Sequence, residues 1–212
     1  MPQIMKYCPD ARYVVVSNPV DIITYTILKV TGLPENQVIG SGTLLDTARL
    51  RDNIAKSINV SPKNIHSFVL GEHGDSSMIP WSLTAVGGMP LETYLSSSRN
   101  KSAVMPDKDA VLKDVHEAGG QVIRLKGATF YAIALVARRI CEAIMRNGRS
   151  VLTCSTMLHG EYGVSDVCVS VPCIIGAGGV ENIATPPMTP DEEKAFTASA
   201  NALKEIIAQL DI

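Results

Sequence analysis

Gly71-Glu72-His73-Gly74-Asp75-Ser76 sets one histidine between two glycines and beside carboxylates, directly after the apolar run Phe68-Val69-Leu70. Upstream, Asp46 and Arg49 are three residues apart in a helical pattern, so they share a helix face. An arginine grips a carboxylate with two parallel hydrogen bonds, which fixes its distance and its plane. A histidine, with an unperturbed pKa of about 6.5, gives or takes a proton near neutrality. A carboxylate on its far nitrogen fixes the tautomer and favours the charged ring. Together, His73, Asp46 and Arg49 can bind a small carboxylate and move a proton at the carbon beside it, steadying negative charge that develops on a carbonyl oxygen. Arg51 lies two residues beyond Arg49, about 200° round the helix, and points elsewhere.

The elements that carry these residues follow from apolar spacing. Val14-Val15-Val16 reads as a buried strand ending at Ser17-Asn18-Pro19, and a helix runs from Pro19 to Val30, stopped by Gly32. Val38-Ile39 is a second strand, and Thr43 opens a helix reaching Ile58. This strand–helix–strand–helix order predicts parallel pairing. Beyond it, 65–70 and 77–86 read as strands, and 107–117 and 121–147 as helices, with Gly127 as a break in the second. Strands at 151–158 and 164–175 flank a turn at 160–163, and a further turn falls at 176–179. Pro190 opens a last amphipathic helix, with Asp191, Glu192 and Glu193 at its positive end. The predicted architecture is an α/β portion over residues 1–40 followed by an α+β domain over 41–212.

Composition narrows the partners. The 212 residues are 46% hydrophobic and 19% charged with a net charge of −2, as expected of a globular protein with no nucleic acid or anionic membrane as partner. No apolar run approaches the ~18 residues that span a bilayer. The start, Met1-Pro2-Gln3-Ile4-Met5-Lys6, lacks the pattern of a secretion signal. The five cysteines have no paired short spacing, and they read as buried free thiols of a cytoplasmic protein rather than a metal site. His116 and His159 show no partner pattern and read as surface or turn residues.

Three segments together resemble signatures of the L-lactate/malate dehydrogenase family. They are Ser17-Asn18-Pro19-Val20-Asp21, Gly40-Ser41-Gly42-Thr43-Leu44-Leu45-Asp46-Thr47-Ala48-Arg49-Leu50-Arg51 and Gly71-Glu72-His73-Gly74-Asp75-Ser76. Lys126-Gly127-Ala128-Thr129 and Ser170-Val171-Pro172-Cys173 extend the likeness, which covers essentially the whole chain. The resemblance implies hydride transfer between NAD and a small L-2-hydroxy acid, lactate being favoured. His73 would be the proton donor and acceptor, Asp46 would orient it, and Arg49 would hold the substrate carboxylate. Asn18 would hydrogen-bond the substrate oxygen, with Ser17 and Asn18 beside the nicotinamide, and Thr129 would line the pocket near the substrate's methyl end. In many bacterial members an arginine and a histidine bind fructose 1,6-bisphosphate between subunits, and the matching residues here are Arg51 and His66.

By the same resemblance, residues 1–40 hold the last strands of a Rossmann-type dinucleotide-binding domain and 41–212 form the substrate-binding domain. The phosphate-binding Gly-x-Gly-x-x-Gly turn has no match. Gly40-Ser41-Gly42 is followed by Leu45 where the third glycine belongs, and Gly176-Ala177-Gly178 fails at the same place, at Glu181. The mobile loop that closes over the substrate is also unmatched. The chain is therefore expected to begin about a third of the way into the family sequence, to be inactive alone, and to pair the free edge of its first strand in a homo-oligomer. A malate or longer-chain hydroxy-acid dehydrogenase, and a non-catalytic anion-binding or assembly module, are the alternative readings.

Overall fold

A computed structural model of the chain describes residues 1–210. Asp211 and Ile212, the last two residues of the expected substrate-binding domain, lie outside the described residues.

The chain starts with a short helix, α1 (Pro2–Met5), then strand β1 (Tyr13–Val15), helix α2 (Val20–Thr31), strand β2 (Val38–Gly40) and helix α3 (Leu44–Ile58). Gly32 in the left-handed conformation ends α2, and Asn59 in the same conformation ends α3. β1 and β2 pair in parallel, as the strand–helix alternation predicts. The long strands β6 (Ser150–His159) and β7 (Ser165–Gly176) form an antiparallel hairpin, and β8 (Gly179–Ile183) adds to its edge. Gly40 pairs with Ser155, joining the two parts into one mixed five-stranded sheet ordered β1-β2-β6-β7-β8. β1 is an edge strand of that sheet.

The sheet's core gathers Ile39, Leu158, Val169 and Ile175 with Ile140 of α6 (Tyr131–Met145) and Phe196 of α7 (Pro190–Ile207). Thr189 and Glu192 close a capping box at the start of α7, with Pro190 at its first position. A second core lies under the three-stranded sheet β3 (Ile65–His66), β4 (Ala85–Val86) and β5 (Met89–Pro90), where Leu50, Ile54 and Ile58 of α3 meet Val111 and Val115 of α5 (Lys108–Lys126).

Several expectations are corrected. Residues 118–120 do not separate two helices: α5 runs through Gly119 and Gly120, and the break comes at Gly127, which caps α5 in the left-handed conformation. Packing of Val111 and Val115 against α3 holds the early turns of α5 despite the glycine pair. The segment 77–86 is not one strand. A single 3₁₀ turn (Trp81–Leu83) follows Pro80, whose ring cannot continue a ladder, and only β4 is left. Residues 65–70 form β3 and one isolated bridge, Leu70 to Met78. Short helix α4 (Leu91–Ser97) and strand β8 had no counterpart in the sequence reading. Three cysteines, Cys154, Cys168 and Cys173, are buried as expected, whereas Cys8 and Cys141 are exposed.

Buried threonines lock α3 onto the sheet. The Thr43 hydroxyl donates to the carbonyl of Val69 at 2.5 Å, and Thr47 accepts from the Val69 amide at 2.9 Å. Thr47 also meets the Thr153 hydroxyl of β6 at 3.0 Å. Two helix side chains thus satisfy both polar groups of one residue in the loop that leads to His73. Substituting Thr47→Val keeps the shape but strands the buried Val69 amide, and is expected to cost about 1–3 kcal/mol in urea denaturation. A loss below about 0.5 kcal/mol would show that this lock is dispensable.

Candidate active site

His73 sits on a loop whose backbone is bonded from several sides. Leu70 exchanges both hydrogen bonds with Met78 at 2.9 Å, and Gly71 exchanges both with Ser170 of β7 at 3.0 Å. Gly71 holds a φ of 95°, and a Cβ there would lie 2.5 Å from the Ser199 hydroxyl, so glycine is required on both counts. The Glu72 amide donates to that hydroxyl of α7 at 2.8 Å, and the His73 amide donates to Asp21 of α2 at 2.7 Å. Loop residues 71–73 are thereby tied through their backbone to β7, α7 and α2.

Asp46, in the first turn of α3, divides its carboxylate between two partners. One oxygen accepts from Arg49 Nη1 at 2.9 Å, and the other meets His73 Nδ1 at 2.7 Å. The side chains are 10% (Asp46), 20% (Arg49) and 27% (His73) exposed, so water screens them only partly. The hydrogen bond from Asp46 raises the pKa of His73 above its ordinary value; burial and the Arg49 charge oppose this without cancelling it. With Nδ1–H committed to Asp46, Nε2 is the nitrogen left for a ligand.

A cavity of about 470 Å³ is lined by Asn18, Asp46, Arg49, His73 and Thr129, with Val16 and Ile123 among its apolar walls. Five residues singled out from sequence therefore share one cavity, although Asn18 and Thr129 are exposed at its margin. Ser17 is exposed and outside the lining. Arg51 is also outside, and its Nε donates to the Ser67 carbonyl at 3.2 Å. Burial lowers the pKa of Arg51, though a guanidinium remains charged. His66 is exposed on β3, immediately before Ser67.

Sequence reading missed three contributors. His116 is not a plain surface residue: it lines the cavity from α5, with Nε2 2.8 Å from the Ser77 hydroxyl. Asp21 is buried at 2% exposure beneath the His73 loop. Gly119, one turn beyond His116, lines the same wall. The spacing of Val115, Gly119 and Ile123 at four residues is the signal that could have found this face. His159 likewise has a partner, with Nε2 2.6 Å from Glu35.

Neither glycine run forms a phosphate cradle. A Cβ on Gly42 would lie 2.5 Å from the Ser170 hydroxyl and 2.7 Å from the Ser155 amide, so glycine there lets the sheet approach, while Gly42 also lines the cavity. In the 176–179 turn, the Gly178 amide donates to Glu181 at 3.3 Å and its carbonyl accepts from Asn36 at 2.7 Å. The 176–179 turn is filled by protein, and the Gly40–Gly42 run has Leu45 where the third glycine belongs, so neither fits a pyrophosphate. Val16 and Asn18, at the end of β1 and on the cavity wall, do present a surface suited to a planar ring next to His73. No group of three or more His, Cys, Asp or Glu suited to a metal occurs among the described residues.

A parallel pair joined to an antiparallel hairpin, with a histidine, a carboxylate and an arginine at one cavity, defines a class that comparison with known families then specifies. Residues 43–211 match the lactate/malate dehydrogenase, alpha/beta C-terminal domain, and residues 1–40 match the family's NAD binding domain. The chain belongs to the lactate/malate dehydrogenase family. Its relatives include the L-lactate dehydrogenase of Acetivibrio thermocellus, 45% identical over 99% of this chain and 66% of the relative. That of Thermoanaerobacter pseudethanolicus is 42% identical over 99% of this chain and 67% of the relative. L-lactate dehydrogenase 1 of Clostridium acetobutylicum is 45% identical over 97% and 65%. The chain thus spans about two thirds of the length of the curated relatives it matches.

The dominance of Asp46 over the His73 proton gives a direct expectation. In Asp46→Asn the raising hydrogen bond is weakened while burial and Arg49 still oppose the charge, so the His73 midpoint should fall below that of the unsubstituted chain. NMR titration of the ring protons measures it; an unchanged midpoint would show that Asp46 does not govern the ring.

Proposed function

We propose that this chain supplies the substrate-binding and proton-transfer half of an NAD-dependent L-2-hydroxy-acid dehydrogenase, with lactate and pyruvate as the favoured pair. One observation carries the reading: the Asp46 carboxylate is bonded to both Arg49 and His73, so an anion clamp and a proton donor hang from one group. The relatives' names support the substrate. In the direction of reduction, Arg49 holds the 2-oxo acid's carboxylate, and Asn18 donates an amide hydrogen to the reacting oxygen. Protonated His73 delivers its Nε2 proton to that oxygen as negative charge builds there. In the reverse direction neutral Nε2 takes the hydroxyl proton, and Asp46 stabilises the ring cation that forms. When bound, the nicotinamide supplies or accepts the hydride. Thr129 faces the substituent at C3.

Residues 1–40 as the end of the dinucleotide-binding domain and 41–212 as the substrate domain fit this division of labour. The described residues hold no phosphate cradle for the dinucleotide, so the 212-residue chain is expected to show no pyruvate-dependent loss of NADH absorbance alone. We extend the proposal to a cytoplasmic homo-oligomer, supported by the edge position of β1, the half-exposed Val16 and the lack of any described helix long and apolar enough to cross a membrane. Arg51 and His66 are proposed as ligands for fructose 1,6-bisphosphate. Arg51 bonds the carbonyl next to His66, outside the substrate cavity, and the pairing of Arg with imidazolium suits a phosphate.

Calorimetry with pyruvate tests the reading. Arg49→Gln removes two charge-assisted bonds and should weaken binding by about 3 kcal/mol, roughly a hundredfold. Equal affinity in both forms would contradict the clamp. Steady NADH oxidation by the chain alone would contradict the division of labour.

A further inference from the structure

His73 is held by two carboxylates, of which the mechanism uses one. Asp46 meets the ring, while Asp21 accepts the backbone amide at 2.7 Å. Asp21 is the second residue of α2 and three residues beyond Asn18, so the segment that lines the cavity with Asn18 also carries the anchor of His73. Its other oxygen, Oδ1, is buried with no hydrogen-bond partner, and so is the neighbouring Ser155 hydroxyl of β6.

An asparagine could accept the His73 amide equally well and would avoid burying a charge. A carboxylate with one backbone bond and one orphaned oxygen is costly to ionise unless a positive charge stands nearby. The positive end of α2 helps, and the nearest titratable cation is the His73 ring itself.

We propose that Asp21 is a positioning residue for His73, fixing the histidine's backbone from α2 and, through its own charge, setting how tightly the ring holds its proton. The inference rests on the acid/base reading of His73 for its catalytic meaning. Burial pushes the Asp21 carboxyl up to about 6; the neighbouring Ser155 hydroxyl, close by though out of line for a full hydrogen bond, pulls it back most, then the His73 amide and ring, while Glu72 pushes the same way as burial. Asp21 in turn raises the proton affinity of His73, after Asp46. The other charged or titratable groups around the ring are Arg49 from α3, which lowers it, and Asp75 and His116, which line the same cavity. Two groups that attract each other when both are ionised lose their protons in linked steps. As pH falls through about 6, Asp21 takes a proton and its help to the ring cation fades.

NMR titration of the intact chain tests this, with the His73 ring signal assigned by its loss in His73→Asn. The unsubstituted chain should give a two-step curve, with a minor step near pH 6 from Asp21 and a main step from the ring above its ordinary value. In Asp21→Asn, which keeps the amide's acceptor, the minor step should vanish and the main midpoint should fall by about 0.5 pH unit or more. A midpoint unchanged within about 0.2 unit would overturn the proposal and leave Asp21 as a backbone anchor alone. Should Asp21→Asn fail to fold, a single-step curve in the unsubstituted chain would overturn it equally. The titration needs no substrate, so its outcome is separate from pyruvate binding, whose failure would remove the acid/base reading instead.

Discussion

The two oxygens of Asp46 hold Arg49 at 2.9 Å and His73 at 2.7 Å, and the arrangement of the surrounding elements is what makes that sharing geometrically possible. The arginine is supplied by the same helix face, three residues on, so its distance is set by α3 alone. The histidine comes from a loop 27 residues away and must be brought in by tertiary structure. Thr43 and Thr47 of α3 bond both polar groups of Val69, Gly71 joins β7, and Ser199 of α7 and Asp21 of α2 hold the next two amides. A helix, a sheet and two further helices therefore converge on four residues of the segment 69–73. The precision matters because a displacement of about 1 Å in a reacting group is costly in rate.

The electrostatics follow from this geometry. The three side chains are largely withdrawn from water, so their interactions are stronger than those of an exposed helix pair, worth a few tenths of a kcal/mol. Asp46 satisfies both partners at once and leaves Arg49 with donors to spare for a ligand. Asp46 and Asp21 both lie in the first turns of their helices, where the backbone dipole favours negative charge. The helix dipoles thus offset part of the cost of burying two carboxylates.

Much of this was legible in the sequence because it is local. Gly32 and Pro190 mark helix ends through backbone chemistry that needs no tertiary context. Asp46 and Arg49 share a face by spacing, and the motifs around Asn18 and His73 were readable as strings. Where the reading failed, distant packing decided. α5 continues through Gly119 and Gly120 because its earlier turns are buried against α3, whereas in 77–86 the local signal was Pro80 itself, which interrupts the apolar pattern and leaves a 3₁₀ turn and a two-residue strand. Asp21 stood in the sequence only as the last residue of the Ser17–Asp21 motif, with no role of its own. Only the fold places the His73 loop over it. His116 shares a face with the cavity wall, but only the packing of α5 against α3 shows which way that face is turned.

Arg49 and protonated His73 are proposed to bind one ligand together. The most direct test is the affinity of the intact chain for oxamate as a function of pH, followed by calorimetry. If His73 donates its proton to the ligand's oxo group, affinity should be constant at low pH and then fall about tenfold per unit above the raised His73 midpoint, with uptake of one proton on binding. His73→Asn should bind weakly and without that pH dependence. Affinity that is flat across the His73 titration, or equal in His73→Asn, would contradict the account.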